Sequence, residues 1–209
     1  MRRAIEQFNI NIETVRHLGA IHSIFTAQLT PALDLSDILR SQIVLAVSAL
    51  DCFIHDLVRI GMSEIFQRND NHPNSFLNYG ISIQVVKRIL DASTPGEQKF
   101  YFEKEIRRLH GYRTFQSSEN ISQAMGFIGI KQLWKKIGNQ FSISSDDVKR
   151  HLDLIVDRRN KIAHESDIDP ALGIGEKYPI DPDMVNISID FLEEVVNTIF
   201  SITMEEFNS

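Results

Sequence analysis

The stretch DDVKRHLDLIVDRRNKIAHESD, residues 146–167, decides the fold. Its first half has the outline of an amphipathic helix. Ser144 or Ser145 supplies an N-cap, and Asp146 and Asp147 follow at the positive end of the helix. At about 100° per residue, Val148, Leu152, Ile155, Val156, Ile162 and Ala163 fall on one face. Arg159 falls near the middle of that face, with Arg158 and Asn160 to either side and His164 further round. A guanidinium does not stay in an apolar stripe without compensation. It must meet a carboxylate, reach a cleft or face another subunit.

A second helix shows the same intrusion. In RSQIVLAVSALDCFIHDLVR, residues 40–59, most positions from Ile43 to Val58 are apolar, as expected of a central helix. Ser48, Asp51, His55 and Arg59 are spaced three, four and four apart and make one narrow polar stripe. Asp51 is the natural carboxylate for Arg158 or Arg159, and His55 accompanies it. The structural reading of both features is an ion pair between two core helices, and such networks occur without any catalysis.

Working outward, helical signals cover most of the chain. A first helix is expected over about Ile5–Leu29, stopping before Thr30-Pro31. Ser36 reads as the cap of a long helix over about Asp37–Gln67. RNDNHPNS, residues 68–75, is a polar turn. Short helices follow over Ile83–Asp91 and Gly96–His110, separated by Ser93-Thr94-Pro95. Ser117 or Ser118 caps another that leads through ISQAMGF into GIKQLWKKIG. After the opening stretch, residues 167–182 form a long loop, and Pro182 sits where a helix likes to start. Strand signals, repeats and composition shifts are lacking. The expectation is all-α: one helical domain over 1–209, with a core of long helices at about 35–67 and 144–207 and a helical elaboration at about 70–140.

Composition narrows the function classes. The net charge of −6 argues against a general nucleic-acid coat. The charge is uneven, however: residues 99–161 hold 13 Lys and Arg against 7 Asp and Glu, leaving 9 against 21 elsewhere. This basic segment holds Arg158, Arg159 and Lys161 of the opening stretch, which permits a phosphate-bearing ligand. The longest apolar run, IVLAVSALDCFI, is interrupted by Ser48 and Asp51 and is too short to span a bilayer. The N-terminus lacks the apolar core of a signal peptide. The single cysteine, Cys52, reads as a buried small hydrophobe, and a reducing cytoplasm is the expected compartment.

The residues Arg159-Asn160-Lys161-Ile162-Ala163-His164 resemble the signature of HEPN domains: an arginine, a polar residue, variable positions, then histidine. The wider chain resembles the RiboL-PSP-HEPN branch. RSQIVLAVSALDCFIHDLV is similar to its second-helix segment, TFQSSENISQAMGFIGIKQLWKKIG to its middle segment, and RRNKIAHESD to its motif helix. The resemblance runs over about residues 35–200. It implies an all-α helical bundle of HEPN type that dimerises, with metal-independent RNA cleavage in active members. It implies Arg159 and His164 as the catalytic pair and Asn160 as the polar residue between them. Arg158 is a second candidate, because the family tolerates a spacing one longer. In toxins paired with a nucleotidyltransferase antitoxin, a tyrosine stands two positions after the histidine. Here Ser166 stands there, so control by modification at that tyrosine is not expected.

The chemistry suits these residue types. RNA carries its own nucleophile, the 2′-hydroxyl. Cleavage needs a base for its proton, an acid for the leaving 5′-oxygen and positive charge on the phosphorane. Free histidine titrates near 6.5 and serves both proton transfers, while arginine offers a fixed fork of donors to phosphate. A two-fold homodimer supplies a second Arg159 and His164 and places Arg159 in a cleft along the seam. The expected products carry 2′,3′-cyclic phosphate and 5′-hydroxyl ends, with no cofactor and no metal. The biological role expected from this reading is a toxin or phage-defence effector, with an antitoxin or regulator as its further partner. The alternative is a non-catalytic HEPN module for dimerisation or RNA binding.

Lys161, Arg107 and Arg108 are candidate RNA-contacting cations. Around the latter two, Lys104, His110 and Arg113 interleave with Tyr101, Phe102 and Tyr112. This segment reads first as a solvated helix face with aromatics packed beneath, and second as an RNA-binding face. Trp134, among Lys131, Lys135 and Lys136, reads as core, and His151 as a solvated edge. The histidines lack metal-ligand spacing, and GIGEK lacks the lysine-serine pair of a phosphate loop.

Overall fold

A computed structural model describes residues 1–30, 33–68 and 72–208. Among these, nine helices occur in the order α1 (Arg2–Gln28), α2 (Ser36–Gln67), α3 (Asn74–Leu77), α4 (Ile83–Asp91), α5 (Pro95–His110), α6 (Ser118–Phe127), α7 (Leu133–Phe141), α8 (Ser145–Glu165) and α9 (Pro182–Asn208). The fold is all-α. The only β pairing among the described residues is an isolated bridge, Ile168 to Lys177.

Local chemistry sets most boundaries. The side chains of Ser82, Thr94, Ser117 and Ser144 each accept a hydrogen bond from the backbone N–H three residues on, starting α4, α5, α6 and α8. Pro95 and Pro182 occupy first helical positions, where a missing N–H costs nothing. The link expected to lead from ISQAMGF into GIKQLWKKIG breaks at Gly129 and Gln132, both at positive φ. Ser36 is not the cap of α2. It is the first helical residue, its N–H donates to Asp34 Oδ1, and its hydroxyl accepts from Arg40. Pro31, the expected stop of α1, and residues 69–71 of the expected polar turn lie outside the described residues.

α2 is the central element. It packs against α1, α5, α8 and α9, and its buried residues include Ala46, Val47, Leu50, Phe53, Ile54, Leu57 and Val58. Burying this apolar surface on several sides is the main driving force for assembly. α7 bridges α8 and α9, and α4 sits on α5. Trp134 is buried as expected, with its indole N–H donating to Ser118 O at 2.9 Å. Two other readings change. Cys52 is exposed on the outer stripe of α2 rather than buried. His151 is half-buried and stacked on Phe191 at 3.9 Å, and burial lowers its pKa.

Candidate active site

The apolar stripe of α8 is buried at Val148, Leu152, Ile155 and Val156 and then gives out. Arg158, Arg159, Asn160, Lys161 and Ile162 are half-buried, and Ala163 and His164 are exposed. The two adjacent arginines have different surroundings. Arg158 Nη2 donates to Asp167 Oδ2 at 2.8 Å, to Tyr178 O at 3.1 Å and to Pro179 O at 3.0 Å. Its guanidinium also lies 5.3 Å from the Tyr178 ring centroid. Burial lowers its pKa, Asp167 opposes that shift, and nearby Arg40 adds to it. Arg158 is thus held by one buried carboxylate and two backbone carbonyls.

Its partner is one the sequence reading did not identify. Asp167 is fully buried and receives a second guanidinium: Arg40 Nε donates to the same Oδ2 at 2.6 Å. Arg40 is 6% exposed and also donates to Ser36 Oγ at 2.5 Å and Tyr178 O at 2.9 Å. Two arginines, one carboxylate and two backbone carbonyls thus tie the start of α2, the end of α8 and the loop before α9 together. The chain reaches this arrangement through a strained turn, because Ser166 and Asp167 both have positive φ, 56° and 60°. That conformation carries Asp167 back under α8 and lets its N–H bond to Lys161 O at 3.0 Å.

Arg159 is differently placed. Its Nη1 donates to Asn160 Oδ1 at 3.0 Å, and its buried Nε has no hydrogen-bond partner. No carboxylate among the described residues forms a salt bridge with it. A partly desolvated cation without a counter-ion is costly as a structural element alone, and it is suited to receive an anion. Asn160 orients the guanidinium, and His164 follows in the last turn of the same helix. Lys161 is bent over Tyr178, its ammonium 4.6 Å from the ring centroid. Beside this end of α8 lies an open depression of about 480 Å³, walled by Arg40, Val44, Leu45, Ile162, Ser166 and Lys177 among others.

Asp51 and His55 do not join this group. Asp51 Oδ1 accepts from Phe115 N at 2.6 Å and lies 3.6 Å from His55 Nε2. His55 packs on Phe115 at 4.5 Å and meets His110 edge-on at 6.0 Å. The expected pairing of Asp51 with Arg158 or Arg159 is not made. Asp51 lies about 16 Å of helix rise along α2 from Arg40, and its lone pairs serve the chain entering α6. His110, which the sequence grouped with a basic face, is 2% exposed, and burial pushes its pKa down to about 4. Arg107 and Arg108 are exposed on α5. Of the remaining stripe residues, Ser48 donates to Val44 O at 2.8 Å, and Arg59 bonds Asp56 at 2.9 Å and lies 3.7 Å from Glu103.

Among the described residues, no cluster of three or more His, Cys, Asp or Glu could hold a metal ion, and no helix is long and apolar enough to cross a membrane. Neither the curated proteins nor the solved structures include a match to this chain. The family model of RiboL-PSP-HEPN does match it, over residues 9–205 and so across the helices that carry every residue of the site, and the chain belongs to that family.

Proposed function

We propose that the protein is a metal-independent endoribonuclease that works as a homodimer, with Arg159 and His164 as its catalytic residues and Asn160 orienting Arg159. Membership of a HEPN family points to an RNase or an RNA-binding module. One observation carries the finer reading. Of two adjacent arginines, Arg158 is engaged with Asp167 and carbonyls, while Arg159 has no carboxylate partner among the described residues and stands within a turn and a half of the exposed His164. In this reading the RNA 2′-hydroxyl attacks its own 3′-phosphate. The 2′-O–P bond forms as the P–O5′ bond breaks. One His164 takes the hydroxyl proton, and the His164 of a second copy returns a proton to O5′. Arg159 balances the charge that builds on the phosphorane. The products carry a 2′,3′-cyclic phosphate and a 5′-hydroxyl. A toxin or phage-defence role, held in check by a separate inhibitor, is the biological setting this chemistry fits.

The test is incubation of the purified protein with a mixed RNA pool in excess EDTA, with His164→Ala as control. Cleavage that survives EDTA, leaves cyclic phosphate ends and disappears in the variant supports the nuclease. Tight binding of RNA that stays intact refutes it in favour of the non-catalytic module.

A further inference from the structure

The elaboration between the core helices carries a second basic site. α4 and α5 enclose a groove of about 370 Å³ whose walls include Gln84, Arg88, Tyr101, Lys104, Glu105 and Arg108. That volume lies within the ~300–1,000 Å³ of small-ligand clefts. Its single carboxylate is already committed. Glu105 is 4% exposed and accepts from Arg108 Nε at 2.8 Å and Nη2 at 2.9 Å. The Ser82 N–H approaches it at 3.5 Å. The Arg108 hydrogen bonds hold the Glu105 carboxyl below the usual carboxylate range. Glu105 therefore pins the start of α4 to α5 and fixes the Arg108 guanidinium at the groove wall. Arg88 and Lys104 are exposed and form no salt bridge among the described residues. With Arg108 balancing Glu105, Arg88 and Lys104 remain as two uncompensated cations in the groove, on a protein whose net charge is −6. Tyr101 supplies a half-buried ring in the same groove, edge-on to the exposed Phe100 at 5.7 Å.

Cations beside an aromatic ring form the combination that holds single-stranded nucleic acid, with phosphates on the charges and a base on the ring. We propose that this groove is an exosite that grips the backbone of single-stranded RNA away from the cleavage motif. The choice of RNA rests on the function proposed above; the groove's affinity for the polymer does not depend on cleavage. α5 reaches α2 near Arg59 through Glu103, and the cleavage motif abuts Arg40. The 19 residues between these two arginines span about 28 Å of α2, or roughly eight nucleotides stacked at ~3.4 Å each. A 20-nucleotide strand reaches both places even when stacked, and a stacked five-nucleotide strand, about 17 Å long, does not.

The experiment measures binding of fluorescein-labelled 20-nucleotide and 5-nucleotide RNA by anisotropy in a His164→Ala background. The variants are Arg88→Glu with Lys104→Glu and, as the milder pair, Arg88→Gln with Lys104→Gln. Both positions are exposed, and circular dichroism checks the fold. Affinity for the 20-mer is expected to fall about tenfold or more in the reversed pair. Removing two phosphate contacts makes the salt dependence shallower by about 1.4 in slope. Affinity and slope unchanged in both pairs overturn the exosite. Cleavage separates the two readings in chains that retain His164. If the groove pairs raise KM for the 20-mer and leave kcat alone, both stand. If they bind 20-mer poorly while native protein cuts nothing, the exosite stands and the nuclease falls. If native protein cuts and the groove pairs bind and cut as well as it does, the exosite falls alone.

Discussion

Removing Asp167 is expected to destabilise the protein more than any other surface-adjacent substitution near the motif. Asp167 is fully buried, and its Oδ2 receives Arg40 at 2.6 Å and Arg158 at 2.8 Å. In Asp167→Ala, Arg158 keeps only the Tyr178 and Pro179 carbonyls, and Arg40 keeps Ser36 Oγ, the Tyr178 carbonyl and the exposed, well-screened Asp37 carboxylate at 3.5 Å. Breaking a buried charge pair costs about 3–5 kcal/mol. Arg158 retains 22% side-chain exposure, and water reaching it reduces its share. Alanine increases the loss by about 1 kcal/mol, because position 167 sits at φ 60° and aspartate tolerates that region better. The net expectation is a loss of about 3–4 kcal/mol, and about 2 for Asp167→Asn, which keeps the shape and one acceptor. With a urea slope of about 2 kcal/mol/M, Asp167→Ala lowers the unfolding midpoint by about 1.5–2 M. Equilibrium urea unfolding followed by far-UV circular dichroism measures it. A loss below about 1 kcal/mol refutes the structural account of Arg158 and reopens it as a catalytic candidate.

His164→Ala and Arg159→Ala are each expected to lower the RNA cleavage rate about 10²-fold or more while the thermal midpoint stays near that of the native protein, because His164 is exposed and Arg159 forms no salt bridge among the described residues. Gly138→Ala is expected to cost about 1–3 kcal/mol in urea unfolding, since its Cβ would stand 2.8 Å from Ile143 O and 3.1 Å from Ser145 N, both backbone atoms at the α7–α8 link. Stability is expected to fall by up to ~3 kcal/mol as pH drops from about 6.5 towards 4, because the unfolded chain takes up a proton on His110 that the folded one, titrating at about 4, refuses. Thermal melts at pH 7 and pH 5 in native protein and His110→Phe check this, and an unchanged pH dependence in the variant removes His110 as its source.

Caps, breaks and amphipathic faces were legible in the sequence because they depend on neighbours a few residues away. Ser117, Ser144, Pro95 and Pro182 start helices wherever those helices pack, and the 3.6-residue period of α8 marks its buried face through Val156. The same period places Arg159 among apolar positions, but two consecutive residues differ by only about 100°. It therefore cannot tell which arginine is held by a carboxylate and which is left open. Nor can it name the partner of a polar stripe: Asp51 lies on the right kind of face and bonds Phe115, 64 residues away. A signal for the missing partner did exist. Arg40 interrupts the apolar row of Leu39 and Ile43, much as Arg159 interrupts its own, and Asp167 is the first carboxylate beyond the end of α8. Joining them takes a contact across 127 residues and a turn with two positive φ angles, and no local preference encodes either. By itself the sequence determined the helices and the residues worth asking about. Packing α2 against α8 and the 167–179 loop decided that Arg158 is bound in place and Arg159 is not, because charge pairing depends on distances set only when remote segments meet.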